Sequence, residues 1–180
     1  LAAIAETAYV GSLGTSALAG MALVFPMVML QAMLSAGAMG GGVSSAVSRS
    51  LGAGQPERAS DLAVHAVWIG VIAGTVFMLV MRGVAPTLFA ALGGNGEAVV
   101  QAVTYANVAF LGSIFIWLVN TLASVLRGSG DMRLPSVVLL LVSVAQVVVA
   151  GALGMGWGPF PRWGMAGVAA GQVVANGLGA

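Results

Sequence analysis

Glu6 stands alone. It is the only charged residue in "LAAIAETAYVGSLG", and the next charge along the chain is Arg49. An ionised carboxylate deep in a bilayer costs about 2.5–3.5 kcal/mol on insertion scales, so such residues are kept for ion and proton sites or paired with partners. The chemistry open to Glu6 is the binding and release of a proton, the alternative being an exposed acid near a helix end. Asp61 and His65 have the i, i+4 spacing of a shared metal site, but no third ligand accompanies them, so a structural role is expected. There is no cysteine and no lysine, which excludes cysteine–metal sites, disulfides, a P-loop lysine and a Schiff base within these 180 residues. No cofactor and no metal are expected. A net charge of +1 leaves no basic surface for nucleic acid.

The rest of the composition says what surrounds Glu6. The chain is 59% hydrophobic and 6% charged, against about 25% charged residues in a soluble domain. Charge is absent from residues 7–48, 62–81, 98–126, 134–161 and 163–180. A spanning helix needs about 20 mostly apolar residues. The expected fold is all-α, a polytopic transmembrane bundle of about six helices, with the lipid bilayer as its main partner. The chain begins with Leu inside an apolar run and closes on "GQVVANGLGA", so it reads as a fragment of a longer protein.

Punctuation predicts helices at about 1–13, 17–50, 56–81, 97–126, 132–153 and 164–180. In "LGAGQPERA" glycines end one helix, and Pro56 followed by Glu57 starts the next. "LRGSGDMRLP" repeats this, with Arg127 at a helix end and Asp131 as a cap for the next. "APTLFAALGGNG" is too short to span and predicts a separate interfacial turn over 86–92. In "GMGWGPFPRWG", Trp157 and Trp163 suit the headgroup region. The second helix is too long for a plain span, at about 50 Å against about 30 Å of hydrocarbon. It is expected to project into water near Arg49 and to bend at Pro26. The small-residue run "LSAGAMGGGVSSAVS" and the Gly167/Gly171 pair predict close helix packing.

Arg49, Arg58, Arg127 and Arg133 fall at one end of the helices, and Arg82 and Arg162 at the other. That bias places the first end in the cytoplasm. Glu6 then lies roughly 12 Å below the outer surface, and Tyr105 and Gln146 fall at similar depth on two other helices. Gln31, Asn107, Asn120, Gln172 and Asn176 are further neutral polar groups in apolar helices. Each suits either a helix–helix hydrogen bond or a wet cavity.

"ETAYVGSLGTSALAGMAL" resembles the first-helix signature of multidrug and toxic compound extrusion (MATE) transporters, D-x-x-x-V-G-x-L-G followed by A-L-A. "GGGVSSAVSRSLGAGQPERAS", "LRGSGDMRLP" and "WGPFPRWGMAGVAAG" resemble that family's second helix and following loop, its loop between helices four and five, and its approach to helix six. The resemblance implies twelve helices in two lobes, with this chain as most of the N-terminal lobe and the C-terminal lobe missing. It implies export of cationic or amphipathic small molecules in exchange for H⁺ or Na⁺, in a multi-pass protein of the bacterial inner (plasma) membrane. It places the coupling-ion acid at Glu6 and cavity-lining groups at Tyr105, Asn120 and Gln146. The sequence departs from the family pattern in having Glu where Asp is usual, and Ala150 where some members carry a second carboxylate one turn beyond Gln146. A single acid with neutral donors favours H⁺ over Na⁺ in this lobe, since hard cations prefer several oxygens.

The alternatives are a lipid-linked precursor flippase of the same superfamily, an intramembrane enzyme and a structural membrane subunit. The flippase calls for a more cationic cavity than these loop-end arginines give. The enzyme calls for a nucleophile or metal cluster, whereas His65 is the only histidine.

Overall fold

The computed structural model of the chain describes residues 2–157 and 161–180. Six helical stretches run in order: α1 Ala2–Leu13, α2 Thr15–Gly52, α3 Pro56–Ala91, α4 Gly96–Gly128, α5 Arg133–Met155 and α6 Gly164–Gly179. No strand occurs among the described residues. Helices α2 to α5 are each long and apolar enough to cross a membrane. Their exposed faces carry the side chains a bilayer solvates: on α3, Ile69, Ile72, Val76 and Leu79 recur at helical spacing and are more than half exposed. The polar layer of the fold is on the inside.

Two helices contain irregular turns. Residues Met33–Met39 of α2 are π-helical, and Phe110–Gly112 of α4 form a 3-10 turn. The bend expected at Pro26 is not where the hydrogen-bond pattern changes: Pro26 lies inside α-helical Thr15–Ala32, and the change comes at the π-helical segment. That segment is tied to α4, because Ser35 Oγ donates to Gln31 O at 2.8 Å and accepts from Asn120 Nδ2 at 2.9 Å.

The separate turn expected over 86–92 is not formed, and the helix predicted to end near Met81 continues to Ala91. Pro86 removes one ladder donor, yet the helix runs through it. Packing outweighs the lost bond: Met81, Ala85 and Phe89, spaced along one face, are buried in the main apolar cluster with Val10, Val24, Tyr105, Phe110 and Val168. The helix stops where glycine permits it. Gly93 takes φ 89°, and Gly94 N donates to Phe89 O at 3.0 Å.

The other boundaries rest on local chemistry. Pro56 opens α3 with Glu57 in its first turn. Asp131 Oδ1 accepts from the backbone N–H of Arg133 and Leu134 at 2.9 and 3.1 Å, capping α5. Gly128 lies against Ser44 and Val47, and Ser48 Oγ donates to Gly128 O at 2.9 Å. The α2–α3 and α4–α5 turns therefore share one end of the bundle. The α1–α2, α3–α4 and α5–α6 connections lie at the other. Within the last of these, residues 158–160 of "GMGWGPFPRWG" lie outside the described residues, while Trp157 and Trp163 are both about half exposed.

Close helix approach sets the depth of the site. α5 and α6 pair along much of their length. A Cβ at Gly171 would stand 2.5 Å from Ala150 N, and one at Gly154 would stand 2.6 Å from Val168 Cγ2. Only glycine lets α6 ride this close to α5, and Gln172 follows Gly171.

Candidate functional site

Four helices bring polar side chains into one layer at the end of the bundle opposite the Arg49 turn. On α1, Glu6 is 6% exposed. Gln146 Nε2, from α5, donates to Glu6 Oε1 at 2.9 Å, and among the described residues it is the one hydrogen-bond donor to that carboxylate. On α4, Tyr105 is fully buried, and its hydroxyl donates to Gln172 Oε1 of α6 at 3.3 Å. Asn176 Nδ2 donates to Gln172 O at 2.8 Å, one turn further along α6.

Glu6 is eight residues from Gly14, Tyr105 nine from Gly96, Gln146 nine from Met155 and Gln172 eight from Gly164. Each distance converts to about 12–14 Å of helix. Helix α1 places its carboxylate inward because Glu6 and Val10, one turn apart, form its buried stripe.

Asn120 is not brought to Glu6. It lies fifteen residues beyond Tyr105 on α4, about 22 Å of helix, and its amide donates to Ser35 at the π-helical segment. Gln172 is the group that the site reading of the sequence left out. The depth argument that selected Glu6, Tyr105 and Gln146 also selects Gln172, once its distance from the start of α6 is counted. Asp61 and His65 make no side-chain pair: the His65 ring Nδ1 meets the backbone carbonyl of Asp61 at 2.7 Å. Among the described residues no three His, Cys, Asp or Glu side chains converge.

An aromatic pair lies beyond the acid, toward the nearer end of the bundle. Tyr9, almost one turn from Glu6, meets Trp157 edge to face with ring centroids 5.6 Å apart. Trp157 folds back onto Gly151, where a Cβ would stand 2.5 Å from its ring. The largest groove, about 630 Å³ between α5 and α6, is lined by Val138, Leu141, Val142, Val148, Ala175 and Leu178. None of the four polar side chains lines it, and its walls suit acyl chains.

The site is thus a buried carboxylate with a neutral amide donor and no guanidinium bonded to it. Such a group can hold a proton or attract a cation, and its charge state alters what Gln146 and α5 bond to.

The MatE family model matches residues 1–151. The chain belongs to the MatE family. It is 28% identical over 182 residues to the probable multidrug resistance protein NorM of Thermotoga maritima, covering 98% of this chain and 38% of that protein. It is 27% identical over 173 residues to an FAD transporter of Shewanella oneidensis, covering 92% of this chain and 36% of that protein. A solved MOP superfamily transporter from Pyrococcus furiosus superposes with a TM-score of 0.90 at 31% identity, over 99% of this chain and 38% of that one. This MatE chain therefore spans a little over a third of the length of the curated relatives it matches, and its fold is that of a transporter lobe.

Proposed function

We propose that this MatE chain is part of an ion-coupled antiporter that exports cationic or amphipathic small molecules across the bacterial inner membrane, transport rather than catalysis being its activity. The observation that carries this reading is Glu6, buried between α1 and α5 with a neutral amide as its donor. In this reading Glu6 is the coupling site. Its ionised form accepts from Gln146 and attracts a cation. Its protonated form loses the charge and gains an O–H donor, so the packing of α1 against α5 differs between the two states and biases the outward–inward equilibrium. A proton and a cationic cargo compete for one carboxylate, which is the opposition antiport requires.

We assign H⁺ rather than Na⁺ to this lobe. Glu6 is the one acid in the layer, and its neighbours at Gln146, Tyr105 and Gln172 are neutral, which falls short of the oxygen-rich shell a hard cation prefers. Tyr105 and Gln146 are proposed to shape the cavity beside Glu6. Asn120 is proposed to act at the other end, through the π-helical segment of α2.

The name of one relative, FAD transporter, favours a second reading in which the cargo is an anionic dinucleotide. An anionic cargo does not compete with the proton for Glu6, so in this reading it binds elsewhere in the cavity and opposes the proton only through the outward–inward equilibrium.

Efflux by the full-length protein separates these readings. With Glu6→Gln and Glu6→Ala, assayed at several pH values with and without Na⁺, proton coupling predicts that the pH dependence of efflux disappears and Na⁺ has no effect. Unchanged efflux in both variants removes the mechanism. Competition between a cationic dye and FAD then decides the cargo.

A further inference from the structure

At the bundle end opposite Glu6, the α2–α3 turn holds a cleft of about 330 Å³ lined by Arg49, Arg58, Ser50, Gln55, Ala46 and Leu62. We propose that this cleft is a binding site for the phosphate of an anionic phospholipid headgroup. The assignment is independent of the transport reading.

The turn is rigid. Ala53 N donates to Arg49 O, Gly54 N to Leu51 O and Gln55 N to Ser50 O, all at 2.9–3.0 Å. Gly54 sits at φ 71°, a conformation other residues rarely adopt. Pro56 fixes the first turn of α3. The turn thus brings Arg49, in the last turn of α2, and Arg58, in the first turn of α3, to one cleft.

Neither guanidinium is neutralised. Arg49 Nη1 donates to Ser45 Oγ, and Arg58 Nη1 donates to Gln55 Oε1 at 3.3 Å. Both partners are uncharged, and most of each guanidinium's five donors stay free. Of the nearby acids, Glu57 lies beside an adjoining surface pocket that it shares with Gln55 and Arg58. Arg58 and Leu62 line the cleft at i, i+4, whereas Glu57 and Asp61 form the adjacent stripe, and neither lines it.

Position selects a lipid as the source of the phosphate. Arg127 and Arg133 stand at the same end, since the Gly128 turn packs against Ser44 and Val47. Four of the chain's six arginines therefore rim one membrane face. Such juxtamembrane clusters attract anionic lipid. Guanidinium forks match phosphate oxygens in a bidentate manner. Leu62 and Ala46 give the cleft an apolar side for the glycerol and upper acyl segments.

The test uses the full-length protein in nanodiscs of mixed phosphatidylglycerol and phosphatidylcholine, with retained lipid read by native mass spectrometry. Wild type should retain phosphatidylglycerol selectively. Arg49→Gln with Arg58→Gln should weaken that retention about thirtyfold, on the order of what two juxtamembrane arginines contribute. Glu57→Gln, which removes a neighbouring negative charge, should not weaken it. Should the double variant not fold, Arg58→Gln alone, at an exposed position, should lose about fivefold. Equal retention by wild type and either arginine variant overturns the site. Inorganic phosphate at millimolar concentration should not displace the lipid. Displacement, or tight phosphate binding at these arginines in detergent, overturns the lipid as occupant.

Discussion

Gln146 Nε2 stands 2.9 Å from Glu6 Oε1, joining residues 140 positions apart on α5 and α1. The contact ties the one acid of the polar layer to a helix that carries no charge beyond Arg133 at its start. Gln146→Leu removes the donor while keeping side-chain bulk. It should lower efflux by the full-length protein roughly tenfold, the usual scale for losing one charge-assisted hydrogen bond, and leave the pH dependence in place because Glu6 still titrates. Glu6→Gln should do the converse, abolishing the pH dependence while the fold persists through an amide–amide pair. Efflux measured across pH 6–8 in both variants checks the contrast. Identical profiles in the two would sink it.

The Tyr105 hydroxyl serves Gln172, not Glu6, at 3.3 Å. Tyr105→Phe leaves Gln172 Oε1 without that donor inside the bundle. The cost should be about 1 kcal/mol of stability, at the low end for a buried acceptor because the bond is long. Gln172→Leu strands the tyrosine hydroxyl and should cost more, about 1–3 kcal/mol. The double variant should be less damaging than the sum, since it leaves neither group stranded. Thermal melts of the four proteins in one detergent measure the coupling. Strict additivity would show that the pair does not interact.

The sequence made the membrane class, the helix order and the polar layer readable for one physical reason. Charge is so costly in lipid that each polar residue left in an apolar run marks an inward face, and its distance from the nearest turn gives its depth. That logic places Glu6, Tyr105 and Gln146, and it extends to Gln172. It fails where neighbouring helices override local signals. The sequence predicts a helix end near Met81 and a separate turn over 86–92, yet the burial of Ala85 and Phe89 carries α3 to Ala91. Asn120 is grouped with Glu6 by the family resemblance, not by depth, and the structure places the two apart. The partner of Asn120, Ser35, sits in a π-helical segment whose extra residue per turn leaves no mark in hydropathy.

Glycines at equal sequence rank should respond oppositely to a methyl group. At Gly171 a Cβ would meet the α5 backbone at Ala150, 2.5 Å away, where nothing flexible can yield. Gly171→Ala should destabilise the protein by about 1–3 kcal/mol and displace Gln172 from Tyr105. At Gly83, within α3, a Cβ meets nothing within 4 Å. Gly83→Ala should stabilise by about 0.4–1 kcal/mol through the unfolded chain's entropy. Melting temperatures of the two variants, taken side by side, test the sign of each.

Tyr9 and Trp157 lie between Glu6 and the nearer end of the bundle, with rings edge to face at 5.6 Å and 89°. Trp157 is about half exposed, and it packs on Gly151 of α5 as well as on Tyr9 of α1, so it bridges the two helices. Such a pair contributes about 0.5–1.5 kcal/mol beyond its buried area, little enough to open within a transport cycle. Trp157→Ala should therefore change access more than stability. The reaction of Glu6 with a water-soluble carbodiimide, added from the outer side and followed by mass spectrometry, should speed up several-fold in Trp157→Ala and Tyr9→Ala. Glu6→Gln sets the background. Trp163, equally exposed but not seen to pack on Tyr9, supplies the control: Trp163→Ala should leave the rate as it is. A rate unchanged in Trp157→Ala, with Glu6 still reactive, would mean that this aromatic pair does not cover the acid.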